Sequence, residues 1–527
     1  MKVLISDSIG KEGIEILKKE SGLEVILATE LSSAELKKSM KDVSALIVRS
    51  RTKVTRDLIE AGKALKIIGR AGAGVDNVDV EAATDHGVIV MNAPGANTIS
   101  TAEHTIGMLL ALSRNIPQGH LSLKERGEWE RSKFLGVELR GKTLGIIGLG
   151  RIGSEVAKRA MAMEMKCIVY DPFISPERAK KYGVELLKIG EFLPQADFIT
   201  VHTPLTDETW HLLSKKEFMA MKDGVRIINC ARGGIVDEEA LYEAMKAGKV
   251  AGAALDVYEH EPPTGSQLLT MEGLVATPHV GASTKEAQQM VGIEIAQQVA
   301  DALKGRIVRN AVNIPSIEPD VYEEIKPYLA LAEKLGLLQS QLLEGRTLAV
   351  NIKYSGGVSS YDCEPITIAI LKGLLEPALG NGVNYVNALK VAKEREIRVT
   401  EEKSESLVEF ANLISLEVKT EKTSGSLSGT LFSHTGPRIV RVNGYHVDIV
   451  PRGHILIVLH DSKPGVIGKL GTILGDGGIN IVAMTLGRKE KSGKELTVFN
   501  LELVVPQEML KKMMAIEEII SLGTAKL

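Results

Sequence analysis

The sequence predicts an α/β chain: two units built on parallel sheets within residues 1–310, then an α+β domain and a small β-α-β-β-α module. Three observations carry this. Between Met1 and Gly95, apolar runs at 3–5, 24–27, 45–48, 65–68 and 88–91 alternate with amphipathic stretches, as strands and crossover helices do in a parallel sheet. From 143 onward, six further apolar runs each end on glycine or a polar residue: Gly148, Asp171, His202, Asn229, Asp256 and Thr277. The last 74 residues, 454–527, read as strand 455–459, helix 466–474, strand 480–486, strand 495–505 and helix 507–519, the order of a ferredoxin-like module.

A chain of 527 residues is long enough for three or four domains. The formal charge of −3, without a long block of one sign, argues against a nucleic-acid partner. Cys167, Cys230 and Cys363 are too widely spaced for a disulfide framework or a zinc motif, and suit a reducing compartment. No metal is expected. The amino terminus opens on a strand without a signal-peptide pattern, and no apolar run approaches the ~20 residues that span a bilayer. A cytoplasmic protein is expected, with no membrane partner. Aromatic residues are only 4% of the chain, so its cores must be aliphatic.

In the first unit two strand ends carry chemistry. Arg49, Ser50, Arg51 and Lys53 place three cations in one loop, suited to a phosphate or equally to a solvated edge. The run from Gly69 through Ala73 and Gly74 to Asp76 offers backbone N–H groups suited to a carboxylate. Residues 97–113, beginning with Asn97, read as a largely apolar helix passing between two units, with His104 a satisfied buried histidine. The polar run to Phe134, containing Trp129 and Arg131, reads as an exposed arm of the kind that reaches a second subunit, so at least a dimer is expected.

The second unit is organised by residues 142–171. A strand at 143–147 flows into Gly148-Leu149-Gly150-Arg151-Ile152-Gly153, then a helix, then a strand ending at Asp171, 18 residues past Gly153. The first glycine permits the tight turn, the second lets a pyrophosphate approach bare backbone, and the third lets helix pack on strand. A carboxylate at that distance takes ribose hydroxyls and repels a 2′-phosphate, which favours NAD over NADP. The unit is therefore Rossmann-like. Ligands of open parallel sheets lie outside the carboxyl ends of the strands, so Thr203, Cys230, Ala231, Arg232, Asp256 and His279 share one rim. A long amphipathic helix at 283–304 returns the chain to the first unit, so it crosses the cleft near Ser100 and again near Thr284.

Residues 310–315 read as a linker. The third region combines helices at 328–343, 364–379 and 383–395 with strands at 347–354, 413–419 and 438–442 and a Ser/Gly/Thr turn at 423–430. It offers no motif that translates into chemistry.

Hydride removal from a secondary alcohol requires a base for the hydroxyl proton and a cation to hold a substrate carboxylate and polarise the new carbonyl. His279 is the natural base, because an imidazole titrates near pH ~6.5. Glu261, in a Pro-rich loop, can fix its tautomer, and Arg232 offers a rigid fork for a carboxylate. Each has a plainer use: Arg232 as a surface ion pair, Glu261 as part of a solvated loop and His279 as a strand cap.

On these residues the first 310 positions resemble the D-isomer-specific 2-hydroxyacid dehydrogenase family: 148–153 with Asp171, Asn229-Cys230-Ala231-Arg232-Gly233, and Glu261-Pro262 with His279-Val280-Gly281-Ala282. With Val48-Arg49-Ser50, the run 72–79, and a tail like an ACT module, the whole chain resembles the long-form members that oxidise 3-phospho-D-glycerate with NAD. The resemblance implies domains at 1–98 plus 285–310 (substrate), 99–284 (NAD), 316–452 (an intervening, allosteric substrate-binding type) and 454–527 (ACT). It implies that Arg232 binds substrate, Glu261 supports His279, and His279 exchanges the proton. Gly148, Gly150, Arg151, Ile152, Gly153, Asp171, Thr203, Cys230, Ala231, Asp256, Val280, Gly281 and Ala282 would surround NAD. Arg49, Ser50, Arg51, Ala73, Gly74 and Asn97 would meet substrate, with the phosphate at Arg49, Arg51 or Lys53. Asp461, Pro464, Gly465 and Asn480 would form a regulatory loop for L-serine in a homodimer or homotetramer. A glyoxylate or hydroxypyruvate reductase, or a dinucleotide-sensing scaffold, stands as the alternative.

Overall fold

The computed structural model describes residues 1–306, 308–315, 317, 319–406, 409–432, 436–489 and 493–527; the expected start of the third domain at 316 lies outside them. The described strands form four sheets. The first is all parallel, in the order β2-β1-β3-β4-β5, from β1 (Lys2–Ile5), β2 (Glu24–Leu27), β3 (Val43–Val48), β4 (Ile67–Arg70) and β5 (Ile89–Asn92). All six residues of β3 are buried, which is why the run is continuously apolar. The second, also parallel, comprises β6 (Thr143–Ile147), β7 (Lys166–Tyr170), β8 (Glu185–Leu186), β9 (Phe198–Val201), β10 (Val225–Asn229), β11 (Val250–Leu255) and β12 (Leu274–Ala276). Its order, β12-β11-β10-β9-β6-β7-β8, reverses direction between β6 and β9, where such sheets open a crevice.

Two segments join these units. The Thr98–Arg114 helix buries Ala102, Met108, Leu109 and Leu112 with the second sheet's core. The Lys285–Leu303 helix buries Ile295, Ala296 and Val299 against Val3, Ile5, Ile47 and Ile67 of the first. The two crossings touch: the hydroxyls of Ser100 and Thr284 lie 2.7 Å apart. The expected arm is a helix (Ile116–Arg126) and a 3-10 turn (Arg131–Phe134), with Trp129 76% and Leu135 87% exposed.

Residues 310–315 are not a free linker. Asn92 N–H donates to the Asn310 carbonyl (3.1 Å), Val312 N–H to the Val90 carbonyl (2.8 Å), and Met91 pairs antiparallel with Ala311. Asn313 Oδ1 accepts the Val90 amide at 2.9 Å while its Nδ2 donates to Val88 O at 2.9 Å. The segment thus satisfies the exposed edge of β5.

The third sheet, β14-β13-β15-β16-β17-β18, is mixed: β13 (Thr347–Gly356) runs parallel to β14 (Arg398–Ser404) and antiparallel to β15 (Asn412–Thr420), followed by β16 (Ser424–Phe432), β17 (Gly436–Val442) and β18 (Tyr445–Ile449). The Pro319–Leu342 and Glu364–Leu379 helices supply its core. The expected turn at 423–430 lies instead mostly within strand β16, where alternating serines and small residues fit a close-packed sheet. This domain docks on the first unit: Asn384 Nδ2 donates to Gly87 O at 2.8 Å, and Lys390 pairs with Asp85 and Glu81.

The fourth sheet, β20-β21-β19-β22, is antiparallel between neighbours, with β19 (His454–Asp461), β20 (Ile481–Arg488), β21 (Lys494–Leu501) and β22 (Ile519–Lys526). The last helix ends earlier than expected (Gln507–Met514) and β22 completes a β-α-β-β-α-β fold. No described helix is long and apolar enough to cross a membrane.

Because Asn313 alone caps the Val90 amide, Asn313→Ala should cost about 1–3 kcal/mol locally. Hydrogen exchange at Val90 is expected to quicken about 5- to 160-fold, the same cost expressed at ~1.36 kcal/mol per tenfold, with exchange in β1 and β3 unchanged.

Candidate active site

The cofactor half is built from the β6 turn. Gly148 has φ +89, and a Cβ on Gly153 would come within 2.1 Å of Gly148 O, so neither position admits a side chain. Gly150, by contrast, faces open space. It also begins the Arg151–Ala162 helix without a side-chain cap, leaving N–H groups and the positive helix end free for an anion. Asp171 accepts the Leu149 amide on Oδ2 and the Phe173 amide on Oδ1, both at 2.9 Å, which aims the carboxylate across the turn. Each oxygen keeps a lone pair for a ribose hydroxyl.

A pocket of about 390 Å³ opens beside this turn, lined by Ala73, Gly74, Asp76, Asn97, Ile152, Thr203, Cys230, Ala231, Arg232, Asp256, His279, Gly281 and Ala282. Thr203 Oγ1 and Asn97 Oδ1 are buried here without a hydrogen-bond partner, the condition expected of groups awaiting a polar ligand. Burial pushes the Cys230 thiol up to about 12, so it stays neutral. Burial likewise pushes His202, beneath the rim, down to about 4. Arg151 does not line the pocket; it lies near the half-buried Glu294. A nicotinamide dinucleotide fits these donors: free helix-end amides, a ribose carboxylate and orphaned polar atoms on one rim.

The loops after β11 and β12 carry the reactive pair. Glu261 Oε2 lies 2.8 Å and Oε1 3.0 Å from His279 Nδ1. A carboxylate only accepts, so Nδ1 carries the proton and Nε2 is left for a substrate. His279 sits in the left-handed region, φ +52, a conformation a non-glycine residue keeps only when its surroundings impose it. Asp256 imposes it. Its Oδ1 accepts Val280 N–H (2.8 Å) and Thr277 Oγ1 (2.6 Å), its Oδ2 accepts Gly281 N–H (2.8 Å), and His104 Nε2 stands 3.3 Å from Oδ1. Burial works against ionisation, but these bonds together outweigh it and hold the carboxyl below its usual range.

A larger cleft of about 820 Å³ lies on the other side of His279, lined by Arg49, Ser50, Lys53, Arg70, Asp76, Asn97 and Glu261. Arg51 does not enter it. Its Nε donates to Asp7 Oδ1 (3.1 Å) and its Nη2 to Ser6 O (2.6 Å) and Thr29 O (2.5 Å), so this expected substrate residue is occupied by the fold. Arg70, at the end of β4, is the cation missed in the sequence. Burial first, and the neighbouring Arg232 second, push its guanidinium down to about 10. Its place at the carboxyl end of a parallel strand was the available signal. Arg232 lines the smaller pocket and meets the edge of this cleft at Asp76, its Nε 3.2 Å from Asp76 Oδ2.

His211, Asp237 and Glu259 form the one cluster of metal-ligand type among the described residues. The imidazole turns Nε2 to Glu259 (3.0 Å) and Nδ1 to Asp237 (3.6 Å). Opposite ring nitrogens cannot share one ion, so the cluster is a pin between loops. In the last sheet, Asp461 pairs with Lys494 whereas Ile481 pairs with Leu501 opposite His454. Within one chain, therefore, Asp461, Pro464 and Gly465 lie at the opposite end of the sheet from Asn480, and they do not form one loop site.

Residues 106–281 match the model for the D-isomer specific 2-hydroxyacid dehydrogenase NAD binding domain, 324–443 that for the D-3-phosphoglycerate dehydrogenase intervening domain, and 454–518 that for the ACT domain. The D-3-phosphoglycerate dehydrogenase of Archaeoglobus fulgidus is 49% identical over 523 residues, 99% of each chain. The Bacillus subtilis enzyme of that name is 46% identical over 520 residues, 99% of this chain and 98% of its own. The chain belongs to the D-3-phosphoglycerate dehydrogenase family. It is accordingly an NAD-dependent 2-hydroxyacid dehydrogenase with an ACT domain. Among solved structures it is similar to a glyoxylate reductase from Paecilomyes thermophila (TM-score 0.54, 32% identity, 59% of this chain and 98% of that one). It is also similar to the D-lactate dehydrogenase from Aquifex aeolicus complexed with NAD and lactic acid (TM-score 0.52, 31% identity, 60% and 100%).

A depressed carboxyl stabilises the fold above its unfolded pKa, and that contribution is lost as pH falls through the folded value. Asp256→Ala should therefore cost about 2–4 kcal/mol at pH 7. The gap between variant and parent melting curves should narrow below pH ~4.

Proposed function

We propose that the chain oxidises 3-phospho-D-glycerate with NAD to 3-phosphooxypyruvate, the opening reaction of phosphorylated L-serine synthesis. One observation carries the substrate choice: Arg49, Lys53 and Arg70 line the same cleft as the Glu261–His279 pair. A substrate with a carboxylate at one end and a phosphate at the other needs cations at both, and an unphosphorylated 2-hydroxy acid leaves the second set idle.

In this reading Arg232 takes the carboxylate and polarises the oxygen on the reacting carbon. His279 Nε2 removes the hydroxyl proton, and Glu261 stabilises the imidazolium that results. NAD, when bound, would supply the hydride acceptor for that carbon, while the proton goes to His279 as the carbonyl forms. Asn97 Oδ1 and Thr203 Oγ1, on the rim between substrate and cofactor, offer polar contacts to the ligands. Asp256 holds the 277–281 loop so that the imidazole meets the alcohol.

Residues 1–98 with 285–310 would bind substrate and 99–284 the cofactor, with 316–452 and 454–527 regulatory. Because Asp461–Gly465 and Asn480 lie at opposite ends of one module, an L-serine site using both requires two chains, consistent with a homodimer or homotetramer. The working compartment would be the cytoplasm.

Arg49→Ala and Arg70→Ala should each raise KM for 3-phospho-D-glycerate about 10- to 100-fold, the range of a lost charge-assisted bond. Turnover of an unphosphorylated D-2-hydroxy acid should change less than about twofold, followed at 340 nm. An equal loss on both substrates would overturn the phosphate assignment. His279→Gln should lower kcat by about 10²- to 10⁴-fold with NADH affinity retained. Near-normal turnover would remove it as the base, and Arg232→Ala with an unchanged KM for the hydroxy acid would remove Arg232 from substrate binding.

A further inference from the structure

Arg232 belongs to the cofactor unit, yet two residues of the other unit define where its guanidinium lies. Asp76 Oδ2 accepts Nε at 3.2 Å. Gly74 lies beneath the far edge, where a Cβ would come within 2.0 Å of Nη2. On its own side, Nη1 donates to the Ala231 carbonyl at 2.7 Å. One contact on Nε, one on Nη1 and a wall against Nη2 fix both the position and the plane of a side chain with four rotatable bonds, and they leave Nη2 hydrogens for a ligand. Stability does not explain the pair. Asp76 is 66% exposed, and an exposed ion pair contributes little. Nor does attraction of substrate: a carboxylate beside Arg70 and Arg232 repels the anion that the cleft is built to receive.

We propose that Asp76 is a positioning residue for Arg232, aiming the guanidinium fork at the substrate carboxylate from across the cleft. The inference rests on the reading that Arg232 binds that carboxylate. Both Asp76 and Gly74 follow β4, so the fork is oriented only when the two units stand in the arrangement that closes the site. Substrate discrimination and cleft geometry are then coupled through one hydrogen bond.

Two substitutions separate orientation from charge. Asp76→Asn removes the charge but keeps an oxygen that accepts from Nε; Asp76→Ala removes both. Orientation predicts that Asp76→Ala lowers kcat/KM for the hydroxy acid about 10- to 100-fold, the scale of an ångström-sized misplacement, and that Asp76→Asn recovers most of it. NADH affinity, read by fluorescence titration, should be unchanged in both. Gly74→Ala, whose Cβ would come within 2.0 Å of Nη2 and 2.6 Å of Asp76 Oδ2 and so force the two apart with both residues present, should reproduce the Asp76→Ala defect. In an Arg232→Ala background, Asp76→Ala should have no further effect. Equal effects of Asn and Ala would make Asp76 a counter-ion only and overturn the proposal. So would an Asp76→Ala variant with parental kinetics, or an undiminished effect in the Arg232→Ala background. An Arg232→Ala enzyme with unchanged KM would instead remove the reading beneath it.

Discussion

The site depends on one buried carboxylate. Asp256 ends β11 and meets, on its two oxygens, the amides of Val280 and Gly281, the hydroxyl of Thr277 and the ring of His104. These bonds fold the segment after β12 into the shape that places His279 in the left-handed region with Nδ1 on Glu261. Few geometries satisfy four donors on one carboxylate, and low polarity around it strengthens each bond. The reactive pair is itself half-exposed, so its precision is borrowed from a group that solvent does not reach.

Around that anchor the charges are divided. Cations from the first unit line the larger cleft, and the reactive pair comes from the second. Asp7 and Asp76 each engage one guanidinium, but with different results. Asp7, buried, ties down the exposed Arg51 away from the cleft together with Ser6 and Thr29. Asp76, exposed, leaves Arg232 at the cleft. Burial of the acid thus separates a structural cation from an available one. Arg70, half-buried at the cleft wall, loses part of its hydration and gains in return a demand for an anion.

The first two sheets were legible because strands buried on both faces read as unbroken apolar runs, and strand ends then point to the chemistry. His279, Glu261, Arg232, Asp171 and the glycine turn all follow from that rule. Where one sheet face is open, the signal weakens. β16 reads as a turn because Ser424, Gly425, Ser426 and Ser428 resemble loop composition, and β14 is disguised by its charges at Glu401, Glu402 and Lys403. β22 is masked by Gly523 and by the helix before it. Arg51 was beyond sequence logic for another reason. Which cation reaches the cleft is decided by an aspartate 44 positions away, and pairing over that span leaves no local trace. Likewise, residues 310–313 look like spacer because nothing local reveals that the β5 edge needs partners.

That docked segment has a mechanical meaning. Strand pairing resists shear along its length, so a displacement that reaches residues 310–313 is not absorbed there as slack. It is transmitted to β5 and, at the strand's other end, to the bend that leads into Asn97. Asn384 and Lys390 grip the neighbouring helix and turn, giving the force a second point of application. A motion begun in the tail would therefore reach the cleft wall as a tilt of its floor.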